Sequence, residues 1–214
     1  MKKVLIVANG RKNPAEFVRN LAKESDFVIG TDGGAEFLFE NKIPFDAAIG
    51  DFDSIRNKKI LKEFEKQGIE VVKFPRDKDF SDTELAMRFA LKKGYSDFTF
   101  TNALGKRTDH LLFNISVMFS LLKRGKKCRI IEQNEEIYIT DNALKIKTEK
   151  GRTASVYPLS QTAVIEDSSG LRYPLKDTCI KKSSTLTLSN VALKNEIRIK
   201  VKTGTVLLIV EKEV

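Results

Sequence analysis

This chain of 214 residues has no tryptophan, one histidine and only two cysteines. Without tryptophan, aromatic packing on a ligand falls to phenylalanine or tyrosine. His110 by itself cannot make a zinc site of the histidine type. Cys128 and Cys179 stand far apart in unrelated contexts, with neither metal-ligand spacing nor a disulfide framework, which suits a reducing compartment. No apolar stretch approaches the ~18 residues of a membrane span, so no membrane partner is expected. Two lysines precede the apolar run 4–8, but that run falls short of the roughly 7–15 residues of a secretory leader's core. It reads as a first β-strand, and the expected compartment is the cytoplasm. Also missing are G-x-x-x-x-G-K-[ST] and the H-R-D and D-F-G pair, which excludes P-loop enzymes and protein kinases.

The composition that remains, 41% hydrophobic and 31% charged, is that of a globular chain long enough for one large or two modest domains. The net charge of +9 raises the question of nucleic acid. From residue 141 onward there are 13 basic and 8 acidic residues, and the remainder holds 25 and 21. An excess spread this evenly reads as a lysine-rich solvated surface with some attraction for anionic substrates, and no nucleic-acid partner is expected.

Two periodicities divide the chain. Up to about residue 130, the apolar runs "KVLIVANG", "DFVIGTDGG", "AAIGDFDS", "IEVVKF", "DFTFTNALG" and "KCRIIEQ" alternate with helical patterns over 14–23, 35–41, 57–67, 82–93 and 108–123. Pro14 suits a first helical turn, and Ser81-Asp82-Thr83-Glu84 fits a capping box. Strands separated by such helices imply βαβ units and a mainly parallel sheet. After about 134 come short, often alternating strands, "EEIYIT", "ALKIKTE", "TASVYPL", "TAVIED", "GLRYPL", "STLTLSN", "EIRIKVK" and "TVLLIVE", with no helix between them. That pattern predicts an all-β sandwich or barrel, with a closing hairpin turning at Thr203-Gly204. The expected organisation is an α/β domain over 1–138 and an all-β sandwich domain over 139–214.

In open parallel sheets, ligands bind beyond the carboxyl ends of the strands. Four polar clusters follow predicted strands: "TDGG" (31–34), "GDFDS" (50–54), "RDKDFSD" (76–82) and "NALGKRTDH" (102–110). An extended backbone through "GDFDS" would aim Asp51 and Asp53 to one side. Paired carboxylates repel unless a cation lies between them, and Mg²⁺, which takes hard oxygen ligands and commonly bridges to phosphates, is the natural one. An Asx-turn with Asp53 or Ser54 capping the next helix is the competing reading. In "DKDFSD", Asp82 and Ser81 can serve as caps, which leaves Asp79 as the better ligand candidate. Gly105 permits close backbone approach, Arg107 can fork onto a phosphate, and Thr108 and Asp109 open a helix whose amides attract anions. Taken alone, His110 and "TDGG" carry little. Carboxylates, an arginine and a helix N-terminus on one sheet edge describe phosphoryl or pyrophosphoryl transfer from a nucleotide.

Taken in order, these motifs resemble the thiamine pyrophosphokinase family. The chain shows Asp32-Gly33-Gly34, Gly50-Asp51-Phe52-Asp53-Ser54, Asp77-Lys78-Asp79-Phe80-Ser81-Asp82, then Gly105-Lys106-Arg107-Thr108-Asp109-His110 with Asn114, and in the all-β half "GLRYPL" and Ser189-Asn190. The resemblance covers nearly the whole chain. It implies transfer of a pyrophosphoryl group from ATP to the hydroxyl of thiamine, giving thiamine diphosphate and AMP, in a homodimer with active sites between subunits. Carried over, Asp51, Asp53 and Asp79 hold Mg²⁺ on the ATP phosphates with Asp32 and Asp82 nearby. Arg107, Asp109 and His110 engage the nucleotide, Ser189 and Asn190 lie near thiamine, and Asp79 or Asp82 receives the hydroxyl proton. Asn102 and Lys106 stand where the fourth motif often has glycine.

Other readings compete. A pyrophosphokinase acting on 6-hydroxymethyl-dihydropterin shares similar acidic motifs, although the all-β half with Ser189-Asn190 favours thiamine. D-F-D-S-I is superficially like the haloacid-dehalogenase motif, which belongs after a first strand and not a third. A nonenzymatic nucleotide-binding module would leave the acidic loops unexplained.

Overall fold

A computed structural model describes residues 1–53, 59–77, 79–105 and 107–211, in two compact units, 1–133 and 134–214. The first two residues of the third expected helix, Ser54 as a cap and Lys106 lie outside the described residues.

The first unit runs β1 (Lys3–Val7), α1 (Ala15–Lys23), β2 (Phe27–Thr31), α2 (Gly33–Glu40), β3 (Ala47–Gly50), α3 (Lys59–Lys66), β4 (Glu70–Lys73), α4 (Asp82–Lys92), β5 (Asp97–Thr101), α5 (Thr108–Lys123) and β6 (Lys127–Ile131). Its strands pair in parallel in the order β6-β5-β1-β2-β3-β4. Every residue of β3 and β5 is buried, as a parallel sheet covered by its crossover helices requires. Leu5 and Val7 of β1 pack with Val18 of α1 and with Phe37 and Leu38 of α2, while α4 lies against β1, β2 and β3. Half of the expected capping box forms. Ser81 Oγ accepts from Glu84 N at 3.2 Å, but the Glu84 carboxylate turns to Arg88 Nε at 3.0 Å.

The second unit holds β7 (Glu135–Thr140), β8 (Ala143–Lys147), β9 (Thr153–Pro158), β10 (Thr162–Ser169), β11 (Thr178–Lys181), β12 (Asn190–Val191), β13 (Glu196–Thr203) and β14 (Val206–Glu211). They form two antiparallel sheets, β12-β9-β14-β7 and β11-β10-β13-β8. Ile146, Ile165, Ile197 and Ile199 of one sheet meet Val156, Leu208 and Val210 of the other in a common core. The fold class is therefore α/β with a parallel sheet followed by a β-sandwich.

Two local expectations are corrected. The turn at Thr203-Gly204 does not close a hairpin: β13 pairs with β10 and β8, and β14 pairs with β7 and β9. β13 has one apolar face and β14 is apolar on both, and placing them in opposite sheets sets the β13 face against Val206, Leu208 and Val210 in one core. The segments "GLRYPL" and "STLTLSN" are largely not strands. Thr187 of the latter is buried, with its Oγ1 donating to Val156 O at 2.5 Å and Val156 N donating to its carbonyl at 3.1 Å. Leu186 and Leu188 are consequently turned outward, 69% and 65% exposed. Their alternation imitates a strand, but the apolar residues are on the wrong side.

Candidate active site

Strand β1 lies between β2 and β5, and the chain reverses its direction of sheet growth there, so the loops after these strands diverge and leave a crevice at their carboxyl ends. A cleft of about 550 Å³ occupies this position. Asn9 and Gly10 line it from the loop after β1, Thr31 and Asp32 from β2 and its end, and Asn102, Ala103 and Gly105 from the loop after β5. Ser81, Asp82 and Thr83 enter at the start of α4, and Arg107, Asp109 and His110 at the start of α5.

Asp32 is the most deeply placed acid of the cleft, only 8% exposed. Its backbone is at φ 43°, ψ −117°, a region that costs a non-glycine residue about 1–3 kcal/mol and persists where surrounding structure enforces it. The enforcement is visible. Asp32 N donates to Ile49 O at 3.2 Å, its carbonyl accepts from Ala35 N at 2.9 Å, and its Oδ1 accepts from Phe52 N at 3.0 Å. Although it precedes α2, its side chain does not cap that helix. It hydrogen-bonds Asp82, and burial first, then Asp82 and more weakly Asp51, push the Asp32 carboxyl up to about 8. "TDGG" is thus no ordinary turn. Gly33 and Gly34 begin α2, and a Cβ on Gly34 would stand 2.1 Å from Val7 O.

The backbone from Gly50 to Asp53 is not extended. Strand β3 stops at Gly50, Phe52 has φ 59°, and Asp53 N donates to Asp51 Oδ1 at 3.0 Å. The expected side-by-side projection of Asp51 and Asp53 is corrected to an Asx-turn, because Phe52 must bury its ring among Ala48, Ile60 and Phe64. Asp53 is exposed and faces Arg76 Nε at 3.4 Å. Asp79 lines a neighbouring hollow with Phe80, Glu84 and Phe113. The structure thus brings Asp32, Asp82 and Asp51 into one electrostatic group and leaves Asp53 and Asp79 at its margins. Among the described residues, no three His, Cys, Asp or Glu side chains gather closely enough to enclose a metal ion as they stand. The donor chemistry nevertheless fits Mg²⁺: the group offers only hard carboxylate oxygens, and a cation would relieve the share of the Asp32 shift that Asp82 and Asp51 add to burial.

At the start of α5, Arg107 and Asp109 form a two-pronged ion pair, Nε to Oδ1 at 3.0 Å and Nη2 to Oδ2 at 2.5 Å. The pair holds the Asp109 carboxyl below its ordinary range, and its Oδ1 also accepts from His110 N at 2.9 Å. Arg107 therefore meets a phosphate only by sharing or exchanging this partner. Asn114 serves the loop, with Nδ2 donating to Ala103 O at 2.8 Å.

In the second unit, Ser189 has φ 56° and its N donates to Ser155 Oγ at 3.0 Å. Asn190 is buried and already engaged: Oδ1 accepts from Tyr173 N at 3.0 Å, and Nδ2 donates to Tyr173 O at 2.7 Å. It clamps the "GLRYPL" loop through Tyr173.

Sequence reading missed Asn13 and Glu132 behind the cleft, and noted Asn102 without its role between them. Asn13 donates from N to Asn102 Oδ1 at 2.8 Å and from Nδ2 to Thr101 Oγ1 at 3.0 Å. Asn102 stands at φ 51°, the left-handed conformation that asparagine tolerates where glycine is common, and its buried Nδ2 finds no acceptor among the described residues. Glu132, 5% exposed, accepts from Asn13 Nδ2 and from loop amides after β5. The strand-end rule applied to β1 would have found Asn9 and Gly10, but a lone glutamate in "IIEQN" carries no signal.

Similarity to known proteins agrees with this geometry. Residues 18–131 match the family model described as thiamin pyrophosphokinase, catalytic domain, and 141–206 that described as thiamin pyrophosphokinase, vitamin B1 binding domain. The thiamine pyrophosphokinase of Bacillus subtilis is 32% identical over 192 residues, 89% of each chain. Its crystal structure superimposes with a TM-score of 0.85 at 27% identity over all of both chains. The thiamin pyrophosphokinase from Candida albicans, at 17% identity, shares the fold with a TM-score of 0.82 over 99% of this chain and 89% of its own. Matched in order through both halves, the chain belongs to the thiamin pyrophosphokinase family.

Proposed function

We propose that this enzyme transfers the pyrophosphoryl group of ATP to the hydroxyl of thiamine, releasing AMP, in the cleft at the carboxyl ends of β1, β2 and β5. The observation that carries the reading is the pairing of the buried Asp32 carboxyl with the half-buried Asp82, with Asp51 close enough to add to their repulsion. Such a group keeps a proton where its carboxylates crowd, and a divalent cation with its phosphates would take that proton's place. Asp51 holds Mg²⁺ together with Asp53 and Asp79 from the adjoining loops, and Asp32 and Asp82 close the cleft side. When bound, the cation neutralises phosphate charge as AMP departs. The chain's own residues do the positioning that in-line transfer needs. Arg107, Asp109 and His110 hold the nucleotide at the start of α5, and Asp82, being in the cleft, receives the hydroxyl proton in preference to Asp79. Ser189 contacts thiamine, while Asn190 acts through the loop it clamps. The units thus take the roles of an ATP- and Mg²⁺-binding domain and a thiamine-binding domain.

The same reading makes the enzyme a cytoplasmic homodimer with active sites between subunits. Support for a covered face comes from Leu112 and Phe113 of α5, 60% and 67% exposed. Among the described residues no helix is long and apolar enough to cross a membrane.

Product analysis tests the reaction. With ATP, Mg²⁺ and thiamine, AMP and thiamine diphosphate form together, and EDTA abolishes both. ADP in place of AMP overturns pyrophosphoryl transfer in favour of a simple kinase. AMP that depends on 6-hydroxymethyl-dihydropterin instead of thiamine reassigns the acceptor, and tight ATP binding without turnover makes the chain a binding module.

A further inference from the structure

We infer that Glu132 is a positioning residue for the nucleotide: its carboxylate is the internal anion around which the loop after β5 is wrapped. This rests on the reading of the cleft as the nucleotide site. Glu132 follows β6 and does not line the cleft. Its Oε1 accepts from Ala103 N at 2.8 Å and from Leu104 N at 3.3 Å, and its Oε2 accepts from Asn102 N at 3.2 Å and from Asn13 Nδ2. Three successive amides that point one way form a concave anion site, the arrangement that elsewhere cradles phosphate. Here the protein fills that site itself. Burial pushes the Glu132 carboxyl up, and the groups that favour its charged form are these four donors, with no cation among them.

Two consequences follow. The amides of residues 102–104 are occupied, so phosphate recognition falls to the start of α5 and to side chains. The carboxylate also ties the strand-end loops into one frame. Gly10 N donates to Asn102 O at 2.6 Å, Arg11 N to Leu104 O at 2.8 Å, and Gln133 N to Asn13 Oδ1 at 3.0 Å. Asn9, Gly10, Asn102, Ala103 and Gly105 line the cleft from this frame. A buried anion that gathers donors from separate loops sets where they stand, and a neutral replacement that offers a donor in place of one acceptor lets them part.

The test is Glu132→Gln, which keeps the shape and one acceptor but turns an NH₂ toward amide donors. The readouts are Kd for a non-hydrolysable ATP analogue with Mg²⁺, Kd for thiamine, KM and kcat for both substrates, and Tm. A fivefold or greater rise in Kd and KM for the nucleotide is expected, with thiamine binding within twofold of wild type. Nucleotide affinity within twofold of wild type, whatever happens to Tm, overturns the inference, as does equal weakening of both substrates. Asn13→Ala, which removes one donor to Glu132, repeats the pattern at smaller amplitude and stands in if Glu132→Gln does not fold. A wild-type protein that binds thiamine but no nucleotide refutes the site reading itself, a failure distinct from an unchanged variant-to-wild-type ratio.

Discussion

Gly50→Ala is the sharpest test of how the acidic group is built. Gly50 ends β3 beneath Asp32, and a Cβ added there would lie 1.9 Å from Asp32 Oδ1 and 2.7 Å from its Cγ, whereas ordinary contact begins at 3.4 Å. The carboxylate must therefore retreat by about 1.5 Å, away from Phe52 N, which it holds at 3.0 Å. Overpacking of this kind costs about 1–3 kcal/mol, the lost hydrogen bond adds about 1 kcal/mol, and any side chain at φ 156° is strained in addition. At roughly 2–4 °C per kcal/mol for a chain of this size, Tm falls by at least about 5–15 °C. A misplacement of about 1 Å at a reacting centre costs on the order of 100-fold in rate, so kcat for AMP formation should drop by about that factor. Gly94→Ala is the control: Gly94 has φ 85° and no heavy atom within 4 Å of a Cβ, so it bears only the backbone strain of about 1–2 kcal/mol and leaves kcat unchanged. Thermal unfolding with steady-state kinetics on both variants decides the matter. A folded Gly50→Ala enzyme with kcat within threefold of wild type would refute the claim that the position of Asp32 matters for turnover.

Four further outcomes are expected. Asp53→Asn removes most of kcat while the circular-dichroism spectrum is preserved, and near-normal turnover would take Asp53 out of the metal site. Ser189→Ala raises KM for thiamine more than KM for ATP, and equal shifts would undo its assignment to thiamine. Asp32 has its folded-state carboxyl pushed up to about 8 from 3.8, so the folded state holds the proton more tightly than the unfolded chain. The stability it contributes is complete below about pH 4 and is lost as pH rises through 8. In EDTA, Tm therefore falls from pH 6 to pH 9, and Asp32→Asn flattens that slope. An identical slope in the variant would refute the assignment. Asn102→Gly and Asn102→Ala both lose the acceptor for Asn13, but only alanine is strained at φ 51°, so the glycine variant should be the more stable by about 1–2 kcal/mol in urea unfolding.

Much of this protein was legible residue by residue. Helices starting at Asp82 and Thr108 and strands such as "KVLIV" and "DFTFT" follow from local periodicity, because apolar spacing and caps act within a turn or two of chain. Legibility failed where a side chain's direction depends on distant partners. Leu186 and Leu188 alternate like strand residues, yet Thr187 turns inward to Val156. Asp51 and Asp53 have the spacing of neighbours on a strand, yet burial of Phe52 bends the backbone between them.

The sequence by itself determined the succession of α/β and all-β halves, the polar loops after the strands, and the family. Each of these resides in short motifs whose order along the chain is preserved. Only the tertiary structure decided that β1 lies between β2 and β5, that Asp32 meets Asp82 across fifty residues of chain, and that Glu132 grips the 102–104 amides. These depend on which groups share a desolvated space, where an unpaired charge or amide is costly and each must find a partner. Burial of that kind is set by the whole fold, and no local spacing records it.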